Sequence, residues 1–264
     1  MRIITMTITL LTLLVSNVLA KDHVLFVLTT ADKQELQNGK VRNTGFFLNE
    51  FYVPYKDIVD VGHEVSFATI NAKVAPVDPE SLKLDYWVDG NLVNEAFEFT
   101  KTDTKFNNPK SLKNALHDFE KYDAIVIPGG QGVMVDLFEN DTVTSLIQRF
   151  ALAKKPIGLI CHSPALLVNV AKLGNNPLKG FDVTSVSIFE ELYIENFIMD
   201  GKAKHRMIRF QLDDHGYNAH SALPKMSHVE KDRFLVTNQN PFSTEEFSEV
   251  FLSTLQEYST NQLD

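Results

Sequence analysis

The chain has 264 residues, 44% of them hydrophobic, enough to bury the core of one large α/β domain. Its formal net charge of -9, with no basic stripe, excludes a nucleic-acid-binding surface. Cys161 is the single cysteine, which excludes an internal disulfide, so the core must hold unaided.

Residues 1–20 read as a secretion signal: Arg2 at the start, an apolar middle, and Val18-x-Ala20 as a signal-peptidase site before Lys21. The apolar run is too short and too rich in threonine to span a bilayer. The expectation is an exported protein, periplasmic or secreted, with residues 21–264 forming one domain. An unpaired thiol is a liability in an oxidising compartment, which gives Cys161 a claim to chemical work.

His23–Thr29 is a continuous apolar run, the pattern of a parallel strand covered on both faces. Phe47–Val61 has helical periodicity, with Pro54 placed to kink it or to open its second half. Glu64–Ile70 alternates as a second strand and completes a βαβ unit. Leu84–Val93 reads as a hairpin turned at Asp89-Gly90, and Lys110–Tyr122 as a helix. Asp123–Ile127 is another buried strand, ending in Pro128-Gly129-Gly130-Gln131-Gly132. A helix from Asn140-Asp141 through Ala153 leads to the strand before Cys161.

Beyond Gly174 the periodicities weaken. Phe181–Ser187 and Arg233–Thr237 read as strands, while Ala203–Leu212 fits helix or strand. Ser243–Tyr258 is a C-terminal helix, with Ser243 and Glu246 in a capping-box pattern. Strands alternating with helices predict an α/β fold: a doubly wound, mostly parallel sheet with its site at the strand C-termini.

The chemistry centres on Pro156–Leu167. A short apolar strand breaks at Cys161-His162, and a helix is entered through Ser163-Pro164, where proline's missing N–H costs nothing. This is nucleophile-elbow logic with a thiol, and a helix N-terminus beside it predicts a lowered thiol pKa. Against it stands the reading of Cys161 as a small buried hydrophobe. His162 directly follows and is expected to point away from the thiol.

In the glycine loop, the N–H groups of Gly130 and His162 would make an oxyanion hole, unless the loop is only a tight turn. It matches neither dinucleotide-binding nor phosphate-binding loops, so no cofactor is assigned. Glu50 lies in an apolar stretch and must either reach solvent or be buried with a raised pKa; spacing alone favours solvent. Glu190 and Glu191 are open as partners for His162 or as solvated residues. Asp213, Asp214, His215 and His220 form a loose group without helical zinc spacing, so no metal is assigned either.

Together, the first strand, Gly45–Pro54, the loop from Asp123 to Leu137, the elbow and the turn at 237–241 with Ser243 resemble the ThiJ/PfpI superfamily. This is a class I glutamine amidotransferase-like fold, and the resemblance is to its chaperone and glyoxalase III-like branch over most of residues 22–257. It implies a flavodoxin-like sandwich with Cys161 as nucleophile and Glu50 as its protonated carboxyl partner. It also implies His162 as a triad member, Glu191 ahead of Glu190 as the third, and Gly130 and His162 as the oxyanion-hole amides. The loop carries Gln131 where that branch usually has His, and the elbow carries Ser163 where Gly is common.

The implied reaction is cofactor-free conversion of a 2-oxoaldehyde such as methylglyoxal to lactate through a hemithioacetal, in a homodimer. The alternatives are a thiol-dependent amidase, peptidase or deglycase, and a non-catalytic holdase or oxidant sensor. A holdase would take unfolded client proteins as partners, with the aromatic-rich stretches 46–55 and 189–197 as its apolar surface.

Overall fold

Strand β1 (His23–Leu28) is buried from Val24 onward, as an apolar run without polar breaks requires when helices cover both faces. The computed structural model describes residues 21–262, so the leader expected over residues 1–20 lies outside the described residues. The small hairpin β2 (Lys33–Glu35) and β3 (Val41–Asn43) follows, then α1 (Leu48–Asp60), β4 (Glu64–Thr69) and α2 (Leu92–Thr102). Next come β5 (Lys110–Ser111), α3 (Leu112–His117), β6 (Ala124–Ile127), α4 (Asp141–Leu152), β7 (Ile157–Ile160) and α5 (Leu167–Lys172). The last part holds β8 (Asp182–Thr184), α6 (Ile188–Tyr193), α7 (Ile208–Asp214) and β9 (Asn218–His220). It ends with β10 (Val229–Asp232), β11 (Leu235–Asn238) and α8 (Thr244–Asn261).

Seven strands form the central sheet in the order β10-β11-β7-β6-β1-β4-β5. Only β10 runs antiparallel to its neighbour. Helices α1, α2 and α8 pack together as one group and α3, α4 and α5 as another, flanking the sheet. From β1 the chain goes first to β4 on one side and later to β6 on the other. That reversal opens a crevice at the C-terminal ends of β1 and β6, next to the end of β7.

Gly158 of β7 lies under the stacked rings of Phe247 and Phe251 from α8. A Cβ there would come within 2.7 Å of Phe247 Cζ and 3.0 Å of Phe251 Cε2. Gly158→Ala is therefore expected to destabilise the fold by about 1–3 kcal/mol, read as a lower urea midpoint at unchanged slope.

Several local expectations are corrected by the structure. Asp89-Gly90 does not turn a hairpin: Asp89 accepts N–H bonds from Asn91 and Leu92 and so starts α2. Lys110–Tyr122 is not one helix: Lys110 and Ser111 extend the sheet edge, and Ser111 then caps α3, which ends at His117. Pro54 interrupts nothing, since α1 runs through it. The Ser243–Glu246 capping box does not form, because Ser243 Oγ donates to Asn240 Oδ1 and accepts from the His228 N–H. The capping box that does form joins Ser187 and Glu190. The 46–55 stretch is core, with Phe46 and Phe51 inside an aromatic cluster, while Phe189 and Phe197 are exposed.

Candidate active site

Cys161 sits one residue past β7 in a left-handed conformation, φ 59°, which a non-glycine residue adopts only when its surroundings hold it there. Its N–H donates to Asn238 O at 2.8 Å, and its carbonyl accepts from the Val186 N–H at 2.9 Å. Ser163 Oγ accepts from the Ile160 N–H at 2.6 Å and donates to Ile127 O at 2.7 Å, tying the elbow to the end of β6. A hydroxyl at the position where the resembled branch has glycine thus joins two strands.

The left-handed turn also breaks the alternation of side chains, so His162 does not point away from the sulfur. Its Nδ1 lies 3.1 Å from Cys161 Sγ. Burial, with the Arg42 charge as a second cause, pushes His162 down to about 4, so the imidazole is neutral at physiological pH.

Glu50, in the first turn of α1, is fully buried rather than solvated. The reason is that Leu48 through Pro54 are all buried, so this end of the helix has no solvent face to offer. The Phe47 N–H donates to Gly129 O at 3.1 Å, which seats the helix start on the glycine loop. Gly130 has φ +101°, and a Cβ there would lie 2.6 Å from Gly45 O, so the close approach of backbones requires glycine.

Neither carboxyl oxygen of Glu50 finds a partner at hydrogen-bond geometry among the described residues. Burial pushes the group up to about 8; the Cys161 thiol and the Gly129 N–H are the neighbours that oppose the rise. Glu50 therefore carries a proton at neutral pH.

The expected lowering of the thiol pKa is also corrected. Burial pushes Cys161 up, and negative charge on Glu50 or Glu190 would add to it. The Ser163–Leu166 turn passes directly into α5, and burial of the thiol outweighs what this helix start contributes. Protonation of Glu50 removes one of the repulsive charges and leaves an acid beside the sulfur.

Cys161, His162, Glu50, Gly130 and Gln131 line a cavity of about 240 Å³. Phe47, Tyr86, Tyr193 and Phe242 supply aromatic walls, and Lys83, Lys225, Glu80 and Asp85 supply charged ones. Among the described residues, the N–H groups of Gly130 and His162 donate to no protein acceptor.

Glu191 is not brought to His162. Its carboxyl oxygens accept the N–H groups of Met207 at 3.0 Å and Ile208 at 3.1 Å, and burial raises it to about 7 against those bonds. Glu190 is held by Ser187, Gln239, Asn240 and the Lys225 N–H. The neighbour of His162 Nε2 is instead Gln131, whose Nε2 lies 2.9 Å away. Sequence reasoning gave Gln131 no role, although its place inside the glycine loop was a signal.

The Asp213–His220 group does not converge on one point. Asp213 accepts the Ala219 N–H, His215 contacts Gln211 O, and His220 pairs with Asp182.

Residues 41–194, more than half of the chain, match the ThiJ/PfpI family-like model. The chain belongs to the ThiJ/PfpI family. This ThiJ/PfpI chain is 28% identical to the protein/nucleic acid deglycase HchA of Escherichia coli O1:K1 over 159 residues. That match covers 58% of this chain and 53% of HchA, so it spans about half the length of that curated relative.

Among solved structures, the Francisella tularensis Rapid Encystment Protein 24 KDa superposes with a TM-score of 0.75 at 27% identity, covering 89% of this chain and 99% of that one. Glyoxalase III from Candida albicans superposes with a TM-score of 0.73 at 21% identity, covering 88% and 97%. At that identity the likeness is one of fold.

Proposed function

We propose that this ThiJ/PfpI protein converts a small 2-oxoaldehyde such as methylglyoxal to the 2-hydroxy acid, with Cys161 as nucleophile and no cofactor. The observation that carries the reading is Glu50: a buried carboxyl, protonated at neutral pH and without a hydrogen-bond partner among the described residues, lining the same cavity as the thiol. Such a group can give up a proton, take one from carbon and return it, which is what moving a hydrogen between adjacent carbons needs.

Cys161 gives up its proton to water, the thiolate adds to the aldehyde carbon, and Glu50 protonates the resulting alkoxide to give a hemithioacetal. The Glu50 carboxylate then removes the hydrogen from that carbon, and the electrons move onto the neighbouring carbonyl oxygen. The N–H groups of Gly130 and His162, which donate to no protein acceptor among the described residues, would hold that oxyanion. Glu50 passes that proton to the oxyanion, then takes the hydroxyl proton of the first carbon and delivers it to the second, leaving a lactyl thioester and a Glu50 carboxylate. The carboxylate takes a proton from the water that hydrolyses the thioester, so methylglyoxal plus water gives lactate and one released proton with no net oxidation, and Cys161 and the protonated Glu50 are regenerated.

The test is glutathione-free lactate formation from methylglyoxal, with protein alkylated at Cys161 as control. Turnover abolished by alkylation is the expected result. No turnover by protein with a verified free thiol would discard the reaction.

Deglycation is the second reading, favoured by the likeness to HchA. It uses the same sulfur on an aminocarbinol and predicts release of free amine from methylglyoxal-treated peptide faster than any loss of free methylglyoxal accounts for.

A further inference from the structure

We infer that Arg42 sets the tautomer of His162 through two buried glutamines, so that the imidazole donates its proton toward the Cys161 sulfur and does not take one from it. The inference deepens the proposed reaction and rests on Cys161 being its reactive group. Arg42 and Gln34 belong to the β2–β3 hairpin, where they face each other across the pair.

A guanidinium has donors and no acceptor. Arg42 Nη1 lies 3.3 Å from the Gln34 side chain, so the Gln34 group facing it must be the carbonyl oxygen, Oε1. The Gln34 amide nitrogen then points inward and donates to Gln131 Oε1 at 2.8 Å. That fixes the second amide as well: Gln131 Nε2 is left facing His162 Nε2 at 2.9 Å. An amide NH₂ can only donate, so His162 Nε2 must be bare.

A neutral imidazole carries one proton, which must then sit on Nδ1, 3.1 Å from Cys161 Sγ. Gln34, Gln131 and His162 are all buried, so water cannot readily substitute for a link. Asp78 lies 3.4 Å from Arg42 Nη2 and holds the guanidinium in place.

The chain of donors has one direction, from a fixed cation to the sulfur. It makes His162 a donor that steadies the thiolate and leaves Glu50 as the group that moves protons. Arg42, Gln34 and Gln131 are positioning residues in this arrangement.

Proton–nitrogen correlation spectra of the full protein carrying isotope-labelled histidine test this, with His162 assigned by its loss in His162→Gln. The expected wild-type spectrum at neutral pH shows Nδ1 protonated and Nε2 bare. Gln131→Glu replaces the donor with an acceptor and is expected to put a proton on Nε2. Gln34→Leu frees Gln131 to rotate and is expected to give both tautomers, with the Cys161 alkylation midpoint raised by up to about one pH unit.

A wild-type spectrum with Nε2 protonated would overturn the relay, as would an unchanged tautomer in Gln131→Glu. Turnover does not enter the readout. A protonated Nδ1 in a protein inert toward methylglyoxal would sink the proposed reaction and leave the relay standing; the opposite pair of results would sink the relay alone.

Discussion

Glu50→Gln is expected to lower methylglyoxal turnover by about two to four orders of magnitude and, at the same time, to stabilise the fold at neutral and alkaline pH. Both effects come from one buried proton. An amide is close to the carboxyl in shape but cannot release a proton to the alkoxide or collect one from carbon. The loss should fall mainly on kcat, because the aldehyde can still meet the sulfur.

The stability effect has a definite sign. In the unfolded chain Glu50 ionises near its ordinary 4.5, and in the fold it ionises near 8. Between those values the unfolded state has lost a proton that the folded state keeps. Wild-type stability therefore falls as pH rises through that window and levels off above it. Glutamine has no proton to lose, so the variant's advantage grows over the same window toward a ceiling of about 5 kcal/mol. The amide left without a partner offsets about 1–3 kcal/mol of it. Urea unfolding of both proteins from pH ~5 to ~9 measures the difference. A difference that does not change with pH would show Glu50 ionised in the fold and remove the acid from the mechanism.

Gly129→Ala is expected to take turnover to background and to destabilise the protein by several kcal/mol, on the order of the larger overpacking penalties. A Cβ at this position would lie 2.5 Å from Glu50 Oε2, 2.6 Å from Ile160 O and 2.8 Å from Cys161 Cβ. A flexible side chain can swing aside, but the Ile160 carbonyl belongs to β7 and Cys161 Cβ hangs directly on the elbow. Relief can come only by parting the glycine loop from the strand that carries the thiol. Gly90→Ala is the control: its Cβ would meet Leu84 Cδ2 at 3.4 Å, an ordinary contact. It is expected to stay within about 0.5 kcal/mol of wild type. Equal losses in both variants would show that the packing at Gly129 has no special role.

The sheet strands and the elbow were legible because their signals are local. An apolar run such as Val24–Leu28 announces burial on both faces, and Ser163-Pro164 announces a helical turn after a strand. Glu50 was not legible from spacing, because periodicity reports a helix with one wet face and the start of α1 has none. The direction of His162 turned on the left-handed backbone at Cys161, which no neighbouring glycine signals. Glu191 looked like a partner by composition, yet amides at Met207 and Ile208 had the stronger geometric claim. Gln34 meets Gln131 across 97 residues of chain, and a contact of that kind leaves no trace in local pattern. Asp89-Gly90 misled because the same pair that turns a hairpin can also begin a helix.

The bond from the Cys161 N–H to Asn238 O carries the β7–β11 ladder one residue beyond the end of β7. In hydrogen-exchange terms, that amide is expected to open with the interior of the sheet. The outer walls around the sulfur have a different character: Lys83 and Lys225 sit on short turns outside the sheet. Such segments open at low free-energy cost, far below global unfolding. Warming would thus loosen the rim of the cavity while the sulfur stayed anchored, so entry and exit can fluctuate without disturbing the atom they serve.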